Sequence, residues 1–234
     1  MEGPVRGDAD LAAVAAVIGH PARGRMLAAL LGGPALPAGE LAAAARVAPS
    51  TASAHLARLE AAGLVTVEPL GRRRLFRLAG HQVAEALEVL AGLAPAGAPR
   101  SLRAVDRATA ERAARSCYDH LAGALGVAVT DRLCAMGAID RASFRLLDPA
   151  PFEVLGIDVG RIAGARRPLT RSCLDWSERR PHLAGGLGAA VLAAMLASGW
   201  LVRRPLGRAV AVTRSGRDGL EEVFGLGQAV TLPA

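Results

Sequence analysis

The sequence predicts a mainly α-helical protein with small β-hairpins, built as an amino-terminal helix-and-hairpin unit followed by a related carboxy-terminal one. Three observations predict it. Apolar residues make up 52% of the 234 positions but aromatics only 3%, so Ala, Leu and Val fill the interior, and Ala-Leu-rich stretches favour packed helices. Gly and Pro punctuate those stretches at intervals that suit helices of ordinary length. Segments of the first half recur in the second, the signature of an internal repeat.

The elements follow in order. Residues 9–18 and 22–31 read as two helices around Gly19-His20-Pro21, with Pro21 suited to a first helical turn and Gly32-Gly33-Pro34 as a stop. A short third helix runs from Pro37 to Arg46, and a fourth opens at Pro49-Ser50, reaches Ala62 and ends at Gly63. Leu64–Val67 and Arg74–Leu78 read as strands around a Pro69-Leu70-Gly71 turn, before another amphipathic helix at residues 81–92. The Pro/Gly/Ala stretch 93–100 reads as a linker. The expected domains are therefore 1–92 and 101–234.

After the linker, Ala62-Gly63-Leu64 through Arg72 matches Ser198-Gly199-Trp200 through Arg208 at a constant offset of 136. His120-Leu-Ala-Gly-x-Leu-Gly126 recurs as His182-Leu-Ala-Gly-x-Leu-Gly188, and each copy reads as the start of a helix. The second half is therefore expected to be a degenerate copy of the first. Its counterpart to the fourth helix, residues 186–198, is almost wholly apolar and offers no side chain to a base edge, so it should be buried.

Composition narrows the function classes. The net charge is +7 with 28 basic residues, all Arg, whose planar forks suit phosphates and guanine edges. Residues 1–92 hold 9 Arg against 8 acids, so only local clustering counts there. No apolar run approaches the roughly 18–20 residues of a membrane span, and the first ten residues lack an apolar signal core. A soluble cytoplasmic protein is expected. Cysteines 117, 134 and 173 form no Cys-x-x-Cys pair, which argues against a zinc ribbon and a disulfide scaffold alike.

A helix that reads DNA buries one face and offers short polar groups from its first turns. In the fourth helix Ala52, Leu56 and Leu59 share one stripe, leaving Ser50, Thr51, Ser53, Ala54, His55 and Arg58 for the outer face. At the hairpin, Arg72, Arg73 and Arg74 can reach a phosphate backbone.

With these pieces in place, residues 9–92 resemble the ArsR (arsenic-repressor-like) family of winged helix-turn-helix regulators. The resemblance rests on Gly19–Leu31, Ser50–Leu56, Ala62–Val65 and Gly71–Arg74. It implies a homodimeric repressor of double-stranded DNA that releases its operator on binding an inducer. Ser53, Ala54 and His55 would then face the major groove, and residues 9–18 and 81–92 would pair between protomers. The Cys-x-Cys of the metal-sensing members is missing from Leu41–Arg46, and the helix from His81 lacks a zinc ligand set. No metal or cofactor is therefore assigned.

Two segments of the second half carry chemistry: Arg115-Ser-Cys-Tyr-Asp-His120, and Arg171-Ser-Cys-Leu-Asp-Trp176 leading to His182. Cys117, Tyr118, His120, Cys173, Trp176 and His182 are candidates for effector or thiol sensing. The plainest reading is duplicated structural caps, with Asp119 and Asp175 capping helices, His bonding to backbone and Cys acting as small hydrophobes. The alternatives are a soft-metal site, a thiol pair that senses oxidation, and an apolar pocket for an organic effector anchored by Arg171 or Arg179. Nucleotide loops, Gly-x-Ser-x-Gly elbows and His-Glu-x-x-His are missing, so an enzyme is not expected. A protein–protein adaptor and a Cys117/His120 thiol enzyme remain the competing readings.

Overall fold

The computed structural model describes residues 10–71, 73–95, 101–205 and 207–226. It is mainly helical with small antiparallel hairpins. The chain divides into unit 1, residues up to Leu30 and from Pro34 to Gly80, and unit 2, which takes Leu31–Gly33 and everything from His81.

Unit 1 opens with α1 (Leu11–Ile18), started by the Asp10 side chain accepting the Ala13 amide at 2.9 Å. Next, α2 (Pro21–Leu30) places Pro21 where its missing N–H costs nothing. The buried Arg23 guanidinium lies on the last carbonyls of α1, donating to Ala16 at 2.9 Å and to Val17. Strand β1 (Leu36–Pro37) leads into α3 (Ala38–Ala45), closed by Arg46 in the left-handed region, φ 58°. Then α4 (Pro49–Ala61) begins at a Pro and ends before Gly63. Met26, Leu27, Leu41, Leu56, Leu59 and Phe76 fill the core between these helices and the sheet.

The hairpin of β2 (Val65–Leu70) and β3 (Arg73–Leu78) completes a sheet in the order β1-β3-β2. Pro69 lies within β2, opposite Arg74, rather than in the expected turn. As an edge strand β2 tolerates a residue without an N–H. The turn is displaced to Gly71, whose φ of +57° an ordinary side chain seldom adopts. Arg72 lies outside the described residues.

Unit 2 begins with α5 (His81–Leu93), which groups with the second half by its contacts, although the linker pattern suggested a boundary after residue 92. Residues 96–100 of that stretch lie outside the described residues. After α6 (Leu102–Ala113), two similar modules follow: β4 (Arg115–Cys117), β5 (His120–Ala122) and α7 (Gly123–Ala135), then β6 (Arg171–Leu174), β7 (Pro181–Ala184) and α10 (Gly185–Ala197). Short α8 (Ala150–Glu153) and α9 (Val159–Ala163) lie between them. Strands β8 (Leu201–Arg203) and β9 (Val210–Val212) and helix α11 (Arg214–Phe224) finish the unit.

The His-Leu-Ala segments, expected to be helical, are strands in both copies, and each helix starts at the Gly that follows. Gly123 and Gly185 have φ of +79° and +84°, which lets the backbone turn sharply from strand to helix. One turn later, a Cβ on Gly126 would sit 2.6 Å from the Leu121 carbonyl and one on Gly188 2.5 Å from that of Leu183. These glycines let each helix press on its own hairpin. The modules also interlock, since α10 packs on β5, α7 packs on β7, and β5 contacts β7. Thr130 of α7 ties them, donating to Gly126 O and accepting the Leu183 amide, both at 2.8 Å. Leu125, Leu133, Phe152, Leu187 and Met195 form the buried centre; α10, expected to be buried, buries Leu187, Val191, Leu192 and Met195 but exposes Ala193 and Ala197.

Candidate functional site

In unit 1, α4 buries Ala52, Leu56 and Leu59 and exposes Ser50, Thr51, Ser53, Ala54 and Arg58. Ser53 turns its hydroxyl back to the Pro49 carbonyl at 3.1 Å. His55 corrects the expected outer face, because its ring is only 9% exposed and packs on His20 with centroids 4.4 Å apart. Burial, then the neighbouring His20, Arg23 and Arg58, lower its pKa. It therefore packs within unit 1 instead of standing on the exposed face of α4. Arg73 and Arg74 of the wing are exposed. Arg74 leans on Glu60 of α4 at 3.4 Å and over the Phe76 ring, which sets the wing beside the helix. Ser53, Glu60, Arg73 and Arg74 line the open groove between them.

In unit 2 the two modules bring Cys117, His120, Cys173 and His182 together. Cross-strand register does this directly: Cys117 pairs with His120 across β4–β5, and Cys173 with His182 across β6–β7. Side chains opposite each other in an antiparallel pair leave the same face of the sheet, so each hairpin presents one thiol beside one imidazole. The two Sγ atoms are 3.9 Å apart and the two Nε2 atoms 3.1 Å apart. All four donor atoms lie within 4.8 Å of one another, and all four residues are buried. Cys134 stands apart on α7.

Around this cluster each imidazole faces an Asp held by an Arg. His120 Nδ1 is 3.1 Å from Asp119, which takes two bonds from Arg167 at 2.6 and 3.1 Å. His182 Nδ1 is 3.7 Å from Asp175 and has no hydrogen-bond partner. Asp175 pairs with Arg115 at 2.9 Å, both side chains wholly buried, and accepts the Gly123 amide at 2.7 Å. It also accepts the Ser177 amide and hydroxyl and the Glu178 amide. Arg115 stacks on Trp176, its guanidinium carbon 4.9 Å from the ring centre.

Burial alone would raise both carboxyls. For Asp119, His120 and Arg167 outweigh it and hold the pKa at about 2. For Asp175, Arg115, Ser177 and the two amides hold it well below the usual carboxylate range. The thiols separate: the hydrogen bond to Cys173 and burial push Cys117 up, while Cys117 and both imidazoles favour ionised Cys173.

These contacts alter the expectation of duplicated caps. The imidazoles face each other and the aspartates instead of bonding to backbone, and Asp119 engages Arg167 rather than a helix end. Asp175, however, does accept the first amide of α7, and the thiols pack with Ala122 and Ala184. Arg171 and Arg179, considered as anchors for an acid, are engaged by Glu85 and the Gly92 carbonyl. Tyr118, at a positive φ of 61° between β4 and β5, borders a cavity of about 10 Å³ beside Cys117 and Cys173. That is room for about one water, and Trp176 does not line it. Arg115 and Arg167 escaped sequence reasoning, though their partners Asp119 and Asp175 were visible in the repeated Arg-Ser-Cys-x-Asp.

Comparison with known proteins supplies the context. A helix-turn-helix domain family model matches residues 18–68, from the end of α1 into β2. The ArsR-like resemblance read from residues 9–92 covers the same segment. The uncharacterized HTH-type transcriptional regulator YdfF of Bacillus subtilis (strain 168) is 39% identical over 217 residues, 91% of this chain and 96% of the relative. Among solved structures, a possible transcriptional regulatory protein (fragment 1–100) from Mycobacterium bovis is 31% identical, spanning 38% of this chain and 97% of its own, TM-score 0.33. The cadmium metal-sensor CMTR from Mycobacterium tuberculosis is 33% identical, spanning 38% of this chain and 100% of its own, TM-score 0.32. Matching YdfF over nearly its whole length, the chain belongs to the family of HTH-type transcriptional regulators, with its helix-turn-helix domain at residues 18–68.

Proposed function

We propose that this regulator is a repressor that binds a pseudo-palindromic operator as a homodimer through unit 1 and answers an effector through unit 2. The observation that carries the DNA half is the division of α4. One face packs into the core, and the other exposes Ser50, Thr51, Ser53, Ala54 and Arg58 beside Arg73 and Arg74. Short hydroxyls at a helix start reach phosphates and bases together, and the wing arginines add salt-dependent affinity. Exposed apolar side chains support self-association: Leu11 on α1 is 78% exposed, and Val89, Leu90 and Leu93 stand out on α5. A two-fold dimer would set the recognition helices about 34–36 Å apart, one DNA turn. The repressor role follows the ArsR-like resemblance. A non-enzymatic role in the cytoplasm fits a DNA target and reduced thiols. Sensing by unit 2 is supported by its buried cluster of thiols, imidazoles and ion pairs, which the winged helix has no need of.

Binding of the full chain to its own upstream DNA, against a shuffled duplex over a range of salt, tests this reading. A specific complex with two protomers per site is expected. Equal binding to both duplexes would leave the adaptor reading in its place.

A further inference from the structure

We propose that Cys117, His120, Cys173 and His182 form a four-coordinate Cys2His2 centre for a divalent d10 cation of the zinc class, clamped between the β4–β5 and β6–β7 hairpins. The inference goes beyond the DNA-binding reading and does not depend on it.

Distances, tautomers and charge support it separately. With metal–sulfur and metal–nitrogen bonds of about 2.3 and 2.0–2.1 Å, a tetrahedral site has S–S edges of about 3.8 Å and N–N edges of about 3.3 Å. The protein has 3.9 Å between its thiols and 3.1 Å between its Nε2 atoms. The other donor pairs lie within 4.8 Å, against edges of about 3.5–3.6 Å in such a site, so binding must draw the two hairpins together by up to about 1.2 Å.

The tautomers follow from the flanking acids. Asp119 Oδ1 lies 3.1 Å from His120 Nδ1, and a hydrogen bond donated by that nitrogen leaves the Nε2 lone pair pointing inward. His182 turns its unpartnered Nδ1 to the side of Asp175, 3.7 Å away, and its Nε2 faces that of His120. Two lone pairs 3.1 Å apart repel unless a proton or a cation lies between them. Carboxylate–histidine pairs of this kind are the usual outer support of a histidine bound to metal.

Charge also selects the ion. Two thiolates, two neutral imidazoles and a divalent cation sum to zero, which suits four residues that are at most 4% exposed. Asp119 and Asp175 are already balanced by Arg167 and Arg115. A monovalent ion would leave a buried negative charge. Thiolate and imidazole together favour a zinc-class cation over hard magnesium or calcium. On binding, each thiol that is still protonated releases its proton as its sulfur–metal bond forms, and nothing is oxidised. The small neighbouring cavity fits an ion-sized ligand and not a bulky effector.

The test uses full-length protein, stripped with chelator under a thiol-free reductant and titrated with Zn²⁺ and Co²⁺. One equivalent should bind per chain. The cobalt form should show thiolate charge-transfer absorption and the strong visible bands of tetrahedral geometry. Cys117→Ser and Cys173→Ser should each weaken the charge-transfer band and lower affinity at least tenfold, whereas Cys134→Ser should change neither. Asp119→Asn keeps all four ligands and should weaken binding about 10- to 100-fold through loss of outer-sphere support, so it is informative even if a ligand variant misfolds. A six-coordinate cobalt spectrum, tight binding unaltered by Cys117→Ser with Cys173→Ser, or a Cys117–Cys173 disulfide in protein kept under reductant would each overturn the proposal. Operator binding is measured separately, so failure here leaves the DNA reading intact and the reverse also holds.

Discussion

Replacing Asp175 with Asn removes one charge from the centre of unit 2 while changing almost no volume. Asp175 and Arg115 are both 0% exposed and 2.9 Å apart. Removing one partner of such a pair leaves a buried guanidinium uncompensated, at a cost of about 3–5 kcal/mol. An exposed pair such as Arg74–Glu60 contributes only about 0–1 kcal/mol. The Asn side chain keeps one acceptor oxygen, so its NH2 opposes either Arg115 and the Gly123 amide or the Ser177 and Glu178 amides. Both tryptophans, Trp176 and Trp200, lie in unit 2, so intrinsic fluorescence follows this unit alone during unfolding. With chelator present to remove any contribution from metal, Tm should fall by roughly 6–20 °C, at about 2–4 °C per kcal/mol for a unit of this size. Arg115→Met combined with Asp175→Asn should recover part of the loss, because neither charge is then stranded. A fluorescence transition that moves by less than about 1 kcal/mol would refute the buried-pair argument.

Other outcomes follow from the same geometry. Arg73→Ala and Arg74→Ala should weaken operator and shuffled DNA alike and lower the slope of log affinity against log salt by about one each, as read by fluorescence anisotropy; an unchanged slope would remove the wing from the interface. His55→Ala should cost unit 1 about 0.5–3 kcal/mol in chemical denaturation while leaving the ranking of operator variants unchanged, since the ring is buried against His20. A new base preference in that variant would return His55 to the reading face. Gly188→Ala should destabilise unit 2 by about 1–3 kcal/mol, because its Cβ would meet the Leu183 carbonyl at 2.5 Å; full stability in urea titration would show that α10 can move away.

Unit 1 was largely legible because Pro starts its helices and Gly stops one: Pro21 and Pro49 open α2 and α4, and Gly63 follows the end of α4, in the sequence and in the fold. Pro69 misled because its effect depends on whether a strand lies at a sheet edge, which local sequence does not reveal. His55 carried an available warning, for it stands three residues after Ala52 and one before Leu56, beside the buried stripe. In unit 2 the repeat was visible, and so were the residues of the buried cluster, but not their meeting. Three-residue strands such as β4 and β5 are too short to show alternation, and the His-Leu-Ala-Gly run looks helical by composition. Only the register Cys117↔His120 and Cys173↔His182, together with the interlocking of the modules, turns two distant motifs into one site.

The central claim is that sequence discrimination resides on the exposed face at the start of α4. It is tested most directly by measuring affinity for the chain's own upstream site and for every single-base-pair variant of it, with wild type and with Ser50→Ala/Thr51→Ala/Ser53→Ala. Wild type should lose about 1–3 kcal/mol at individual positions in two half-sites one DNA turn apart. The triple variant should flatten that profile while keeping its affinity for shuffled DNA. An unflattened profile in the triple variant would contradict the account.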